Sequence, residues 1–151
     1  MKKALFIAGI LVTTVTFAQK NARTEIPFTM DRNLIIIKAE IAKDVIHNFI
    51  FDTGTEGIML LDSVSDSLAF KPAGIDTIVN QKGEFVATHE KIMIPKLNFN
   101  GLKLTKRVAT EMPRQMLLSN KAVGIIGMQT FLGYTITLDY KNSKIILNKG
   151  S

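Results

Sequence analysis

The stretch FIFDTGTEGIMLL, residues 49–61, is decisive for the fold because its apolar run breaks at Asp52 and resumes a few residues later. The apolar residues before it are typical of a buried strand, which would leave Asp52 at a strand end. Gly54 lets the backbone turn sharply, and the hydroxyls of Thr53 and Thr55 can fix the loop or bond to the carboxylate. An Asp-Thr-Gly triplet is equally typical of a strand that ends in an Asx turn. The triplet alone leaves a surface turn and a catalytic loop as open alternatives.

The rest of the chain has the pattern of an all-β domain. Short apolar runs alternate with turn residues from residue 26 to residue 149. Residues 34–51 predict a hairpin that leads into the Asp52 loop, and Asn100-Gly101 is a strong hairpin dipeptide. Two brief helices are expected, at residues 62–68 and near residues 128–132. With 151 residues, 46% of them hydrophobic, the chain is long enough for one domain with a core.

The N-terminus predicts export. Lys2 and Lys3 precede an apolar segment and small residues that end at Ala18, the layout of a signal peptide spanning residues 1–18. A membrane anchor is the alternative, but the apolar run is short and interrupted by threonines, whereas a spanning helix needs about 20 apolar residues. Residues 19–25 are expected to be a polar leader. This pattern predicts a periplasmic or secreted protein with no membrane attachment after cleavage.

Composition disfavours several other classes of protein. The formal net charge of +6 includes two lysines of the predicted signal peptide, and the remaining positive charge is scattered, so no nucleic-acid partner is expected. The chain has no cysteine, which leaves no disulfide, thiol nucleophile or thiolate metal site. His89-Glu90 and His47 lack partner ligands at zinc-binding spacing. We therefore expect neither a metal nor another cofactor.

Three motifs occur in an order that resembles the retropepsin-like aspartic proteases, the family of retroviral proteases and bacterial gag-polyprotein-type relatives. An apolar strand leads into the Asp52 loop, a hairpin region follows at residues 78–90, and the apolar-apolar-Gly element at residues 125–127 comes last. Residues 128–147 resemble the short helix and two closing strands of bacterial members. The resemblance covers residues 25–149. It implies a closed β-barrel with a flap hairpin and one or two short helices.

The resemblance also implies a role for each matching residue. Asp52 would be the catalytic residue, and Thr53 would hydrogen-bond to a second subunit. The expected support of the catalytic loop is Thr53, Gly54 and Thr55; the expected flap tip is Lys82, Gly83 and Glu84; and the segment expected behind the loop is Ile125, Ile126 and Gly127.

A single Asp-Thr-Gly predicts a homodimer. In these enzymes two aspartates face one water, and Asp139 is no second copy because no glycine turn follows it. The expected enzyme is therefore an endopeptidase whose dyad joins Asp52 from each of two subunits across a twofold axis. Glu56 adds a negative charge that would raise the dyad's proton affinity if it were buried. Two alternatives stay open: a non-catalytic module that binds a peptide or another ligand, and one lobe of a longer protein.

Overall fold

The computed structural model describes residues 23–150, and its regular elements are mostly β-strands. One α-helix and two single-turn 3-10 helices, Arg114–Met116 and Met128–Phe131, complete the regular structure of this range. In chain order the elements are β1 (Arg23–Asp31), β2 (Leu34–Ala42), β3 (Val45–Asp52), β4 (Ile58–Leu61), α1 (Asp62–Ser67), β5 (Lys71–Val79), β6 (Phe85–Phe99), β7 (Leu102–Met112), β8 (Gly124–Gly127), β9 (Tyr134–Asp139) and β10 (Lys144–Lys149). In this part of the chain, no helix is long and apolar enough to cross a membrane.

Six strands close into a barrel, in the order β6-β7-β4-β8-β3-β2. The ring closes where β2 pairs with β6 at Glu40 and Asn98. The Asn98 side-chain amide donates a 2.8 Å hydrogen bond to the Glu40 carboxylate at this point. This arrangement confirms the expected all-β fold with a closed barrel.

β1 links the barrel to a second, smaller group of strands. Its residues 23–27 pair with β10, and its residues 28–31 pair with β2. Residues 23–25, which were expected to belong to a polar leader, therefore pair as strand in the described part of the chain. Main-chain pairing with β10 allows this, because backbone hydrogen bonds do not require apolar side chains. The predicted signal peptide and residues 19–22 lie outside the described residues.

The predicted Asn100-Gly101 hairpin is confirmed between β6 and β7. Both residues have positive φ, 48° and 97°, as the tightest two-residue turns require. β6 itself runs for 15 residues and continues through Pro95, opposite Lys106 with its φ of 51°. This is unusual, because proline usually ends or interrupts a strand.

The core connects the closing segment to the strand before Asp52. Phe131, at the end of the second 3-10 helix, is fully buried and packs edge-on against Phe99, with ring centroids 5.1 Å apart. Its ring also lies 6.2 Å from that of Phe51, the residue that precedes Asp52. Because such aromatic contacts stabilise by about 1 kcal/mol beyond burial, they fix the chain after β8 beneath the end of β3.

Candidate active site

Asp52 is the last residue of β3, at an edge where two parallel strands end together. β8 pairs in parallel with β3, and the register sets Asp52 beside Gly127. The other edge of β8 pairs antiparallel with β4. The Asp52 loop therefore leaves β3, passes around the end of β8 and returns as β4 on its far side.

The loop holds both oxygens of the Asp52 carboxylate. The Gly54 backbone N–H donates to Oδ1 at 2.8 Å, and the Thr55 hydroxyl donates to Oδ2 at 2.9 Å. Asp52 is half-buried, so the carboxylate is oriented but still reaches the surface. Gly54 and Thr55, the expected support of the loop, thus each donate a hydrogen bond to the Asp52 carboxylate.

Gly127 lies against the backbone of this loop. A Cβ at this position would lie 2.1 Å from the Thr55 carbonyl oxygen, so only glycine fits. The Gly127 N–H donates to the Gly57 carbonyl at 2.7 Å, and the Met128 N–H donates to the Thr55 carbonyl at 3.2 Å. The segment after β8 therefore backs the loop through main-chain contacts.

A cavity of about 270 Å³ opens beside Asp52. Thr53, which is exposed, and Ile125 line it, whereas Ile126 is fully buried in the core. Two further lining residues are large and exposed: Leu118 at 72% and Tyr140 at 61%. An exposed apolar surface around an oriented carboxylate is typical of a binding site.

Sequence reasoning missed several apolar lining residues, among them Leu118, Tyr140 and Leu34. These three come from three separate parts of the chain, and none belongs to a motif. Only the folded topology brings them to Asp52.

Two larger cavities, of about 510 and 430 Å³, lie elsewhere on the surface. One includes Ile46 and Asn48 and the other Leu68 and Met93, and neither includes Asp52. They are larger and more apolar, and the carboxylate that lines both, Glu40, accepts the Asn98 hydrogen bond that closes the barrel.

The expected flap-tip residues Lys82, Gly83 and Glu84 lie in the turn between β5 and β6. The Asn80 side-chain oxygen accepts hydrogen bonds from the Lys82 and Glu84 backbone N–H groups, at 2.9 and 3.0 Å. Gly83 has a φ of 80°, which explains the glycine. None of these four residues lines the Asp52 cavity.

Glu56 and Asp139 are the two other acidic residues that bear on this site. Glu56, two residues after Gly54, is exposed. The Asp139 carboxylate accepts hydrogen bonds from the Asn142 side chain at 2.7 Å and from the Asn142 backbone N–H at 3.0 Å. These bonds, the side-chain one above all, lower the pKa of Asp139, which caps the β9–β10 turn. Within residues 23–150, no three His, Asp or Glu side chains group to hold a metal.

Among solved structures, a retropepsin-like aspartic protease from Rickettsia conorii matches 85% of this chain over 92% of its own length. The TM-score is 0.57 and the sequence identity is 19%. The fold is retropepsin-like. Protein-family models and curated proteins gave no match to the sequence. At 19% identity, this similarity shows the fold alone.

Proposed function

We propose that this protein is an exported aspartic endopeptidase that acts as a homodimer. The observation that carries the proposal is the Asp52 carboxylate, which its own loop orients at the mouth of a partly apolar cavity. The retropepsin-like fold supports it, because the structural neighbour is described as an aspartic protease.

The reaction needs two Asp52 carboxylates around one water. Two carboxylates a few ångströms apart cannot both ionise at low cost, so they share one proton. The ionised carboxylate accepts a proton from water as the water oxygen attacks the peptide carbonyl carbon. The protonated carboxyl group donates its proton to the carbonyl oxygen, giving a tetrahedral diol. Proton transfer to the peptide nitrogen then lets the C–N bond break, releasing an acid and an amine.

The second carboxylate must come from another copy of the chain. Of the residues described here that line the cavity, Asp52 alone carries a carboxylate. Asp139 is engaged with its own turn and does not line the cavity. A twofold axis beside Thr53 would bring the two Asp52 side chains together and let the Thr53 hydroxyls interact across it.

An extended peptide is the substrate that best fits this surface. Such a peptide can bind as an added strand, with main-chain hydrogen bonds for affinity and pockets for alternate side chains. Leu118 and Ile125 would favour an apolar side chain next to the cleaved bond. The β5–β6 hairpin, where Val79 and Phe85 are exposed, would cover the peptide as a flap.

Replacing Asp52 with asparagine tests the chemistry. Asp52→Asn keeps the shape of the side chain but removes the base, so kcat for peptide cleavage should fall by at least about a hundredfold. A pepstatin-type inhibitor should abolish the wild-type activity. Asp44→Asn is the matched control, because Asp44 lies at the opposite end of β3 with a φ of 60°, which asparagine tolerates.

Three outcomes separate the hypotheses. Loss of activity in the Asp52 variant alone supports the aspartic mechanism. Cleavage by that variant at the wild-type rate would overturn it. Peptide binding by the wild type without any cleavage would instead identify a non-catalytic binding module.

Export has its own test. Expression of the full chain in a Gram-negative host should place the protein in the periplasm, with an N-terminus at Gln19. A cytoplasmic protein that retains Met1 would contradict export and leave the cleavage chemistry unaffected.

A further inference from the structure

One wall of the Asp52 cavity is an irregular segment, residues 113–123, which connects β7 to β8 and which we call the wall segment. Burial alternates along its middle: Leu117 and Ser119 are buried, whereas Leu118 between them is exposed. This alternation points the Leu118 side chain outward, where it lines the cavity with Asp52. The position of Leu118 therefore depends on what holds its two neighbours.

Ser119 is held by Asp31, a residue 88 positions earlier in the chain. The Ser119 hydroxyl donates a 2.6 Å hydrogen bond to the Asp31 carboxylate and accepts one of 3.1 Å from the Lys121 backbone N–H. The Lys121 ammonium group lies 2.8 Å from the other Asp31 oxygen. Asp31 is thus the common partner of two residues in the wall segment.

Asp31 also lies next to a second part of the cavity wall. It ends β1, and it pairs with Leu34 across the tight β1–β2 turn. Leu34 lines the cavity together with Leu118. Asp31 therefore connects Leu34, through its backbone, with the chain around Leu118, through its carboxylate.

We propose that Asp31 is a positioning residue that, through Ser119, sets the separation of Leu118 and Leu34 and with it the cavity's selectivity for an apolar substrate side chain. The proposal rests on the peptide-cleaving function proposed above. Asp31 acts through these neighbours and does not touch the reacting atoms.

The two contacts of Asp31 differ in strength. Lys121 is 64% exposed, and an ion pair that open to water contributes little. The Asp31 side chain is only 15% exposed and Ser119 is buried, so their hydrogen bond is sheltered and costly to leave unmade. The bond to Ser119 is therefore the main positioning contact, and the bond to Lys121 is secondary.

The ionisation of Asp31 suits an enzyme that works in acid. Hydrogen bonds from Lys121 and then from Ser119 lower the pKa of Asp31 below its ordinary value of 3.8. The carboxylate therefore stays charged in mild acid, where a shared-proton dyad would operate.

The test compares cleavage of two peptides that differ in one residue next to the cleaved bond, Leu in one and Ala in the other. Asp31→Ala and Ser119→Ala should each raise KM for the Leu peptide about tenfold, the size expected for losing a sheltered charged hydrogen bond. kcat should stay close to that of the wild type, and the preference for Leu over Ala should shrink.

Coupling and rescue distinguish positioning from general destabilisation. KM for the Leu peptide should be no higher in the double variant than in the more impaired single variant, because both changes break the same contact. Asp31→Asn should keep KM close to the wild-type value, since its side-chain oxygen still accepts a hydrogen bond from Ser119. Lys121→Met should raise KM less than Ser119→Ala does. Glu25→Gln is the matched control: it removes a 2.8 Å ion pair to Lys144 from the same strand and should leave KM and selectivity unchanged.

The outcomes separate this proposal from the function on which it rests. Wild-type cleavage with unchanged KM and selectivity in Asp31→Ala and Ser119→Ala would overturn the positioning role alone. A fall in kcat at constant KM would overturn it as well. A wild type that cleaves no peptide would overturn the proposed function together with this role. If Asp31→Ala does not fold, Ser119→Ala, which deletes a single oxygen atom, decides the question.

Discussion

Two parts of the chain that line the cavity beside Asp52 are held in different ways. The Asp52 loop is held by backbone contacts, and we call it the backbone wall. The wall segment is held by side chains, and we call it the side-chain wall. Behind the backbone wall, Gly127 lies so close to the Thr55 carbonyl that a Cβ would overlap it. On the side-chain wall, Leu118 depends on Ser119, which the Asp31 carboxylate holds from a distant part of the chain. The first arrangement excludes larger residues, whereas the second relies on a hydrogen bond that is stronger when Asp31 is ionised.

This difference affects how each wall should respond to change. Backbone contact at van der Waals distance does not depend on pH, but it cannot absorb an added methyl group. A carboxylate contact tolerates small changes in shape, but it weakens when the carboxylate takes up a proton. The predictions below follow from these two properties.

The largest effect is expected on the backbone wall. Gly127→Ala would place a Cβ 2.1 Å from the Thr55 oxygen and 2.6 Å from the Thr55 carbonyl carbon. Because the loop would have to move, the free energy of unfolding should fall by about 3 kcal/mol. This loss corresponds to a decrease in Tm of roughly 10 °C for a domain of this size.

Gly57→Ala is the control for Gly127→Ala. Gly57 belongs to the same connection between β3 and β4, but a Cβ at that position would meet nothing within 4 Å. Its Tm should stay within about 2 °C of that of the wild type, as expected for an uncrowded surface change. Equal losses in the two variants would contradict close approach as the reason for the glycine at position 127.

A smaller effect, dependent on pH, is expected on the side-chain wall. Hydrogen bonds from Lys121 and Ser119 lower the pKa of Asp31 in the folded state. Its contribution to stability is therefore present above the unfolded pKa, near 3.8, and is lost as pH falls through the lower folded pKa.

Thermal unfolding of the wild type and Asp31→Asn between pH 7 and pH 2 measures this contribution. The wild type should have the higher Tm above pH 4, and the two curves should converge in stronger acid. A difference in Tm that persists unchanged at pH 2 would show that ionisation is not what stabilises this contact.

The smallest effect is expected at the root of the wall segment. The Arg114 guanidinium group donates a 3.0 Å hydrogen bond to the Ala122 carbonyl, across the two ends of the segment. Because Arg114 is exposed, Arg114→Met should lower the free energy of unfolding by only about 0.5 to 1 kcal/mol, measured in urea. If Arg114→Met lowered the free energy of unfolding as much as Gly127→Ala does, the side-chain wall would be held as firmly as the backbone wall.

The sequence predicted the backbone wall because its requirements are local. Gly54 and Thr55 follow Asp52 directly, and Gly127 ends a short apolar run, so each leaves a signal in the residue pattern. The Asn100-Gly101 turn was predictable for the same reason, since its positive φ values favour those residue types.

The side-chain wall could not be predicted in this way. Asp31 and Ser119 lie 88 residues apart, and neither belongs to a recognisable pattern. The pairing of residues 23–27 with β10 is a similar case, because it joins distant parts of the chain. Sequence periodicity reports which face of an element is buried, but not which distant partner buries it.

The central claim is that Asp52 forms half of an active site, and mixing of subunits tests it most directly. Wild type and Asp52→Asn are mixed in equal amounts, allowed to exchange subunits, and assayed for peptide cleavage at constant total protein. If both carboxylates are required, random pairing leaves about one quarter of the activity of undiluted wild type. About one half would show that each chain works alone, and it would contradict the account.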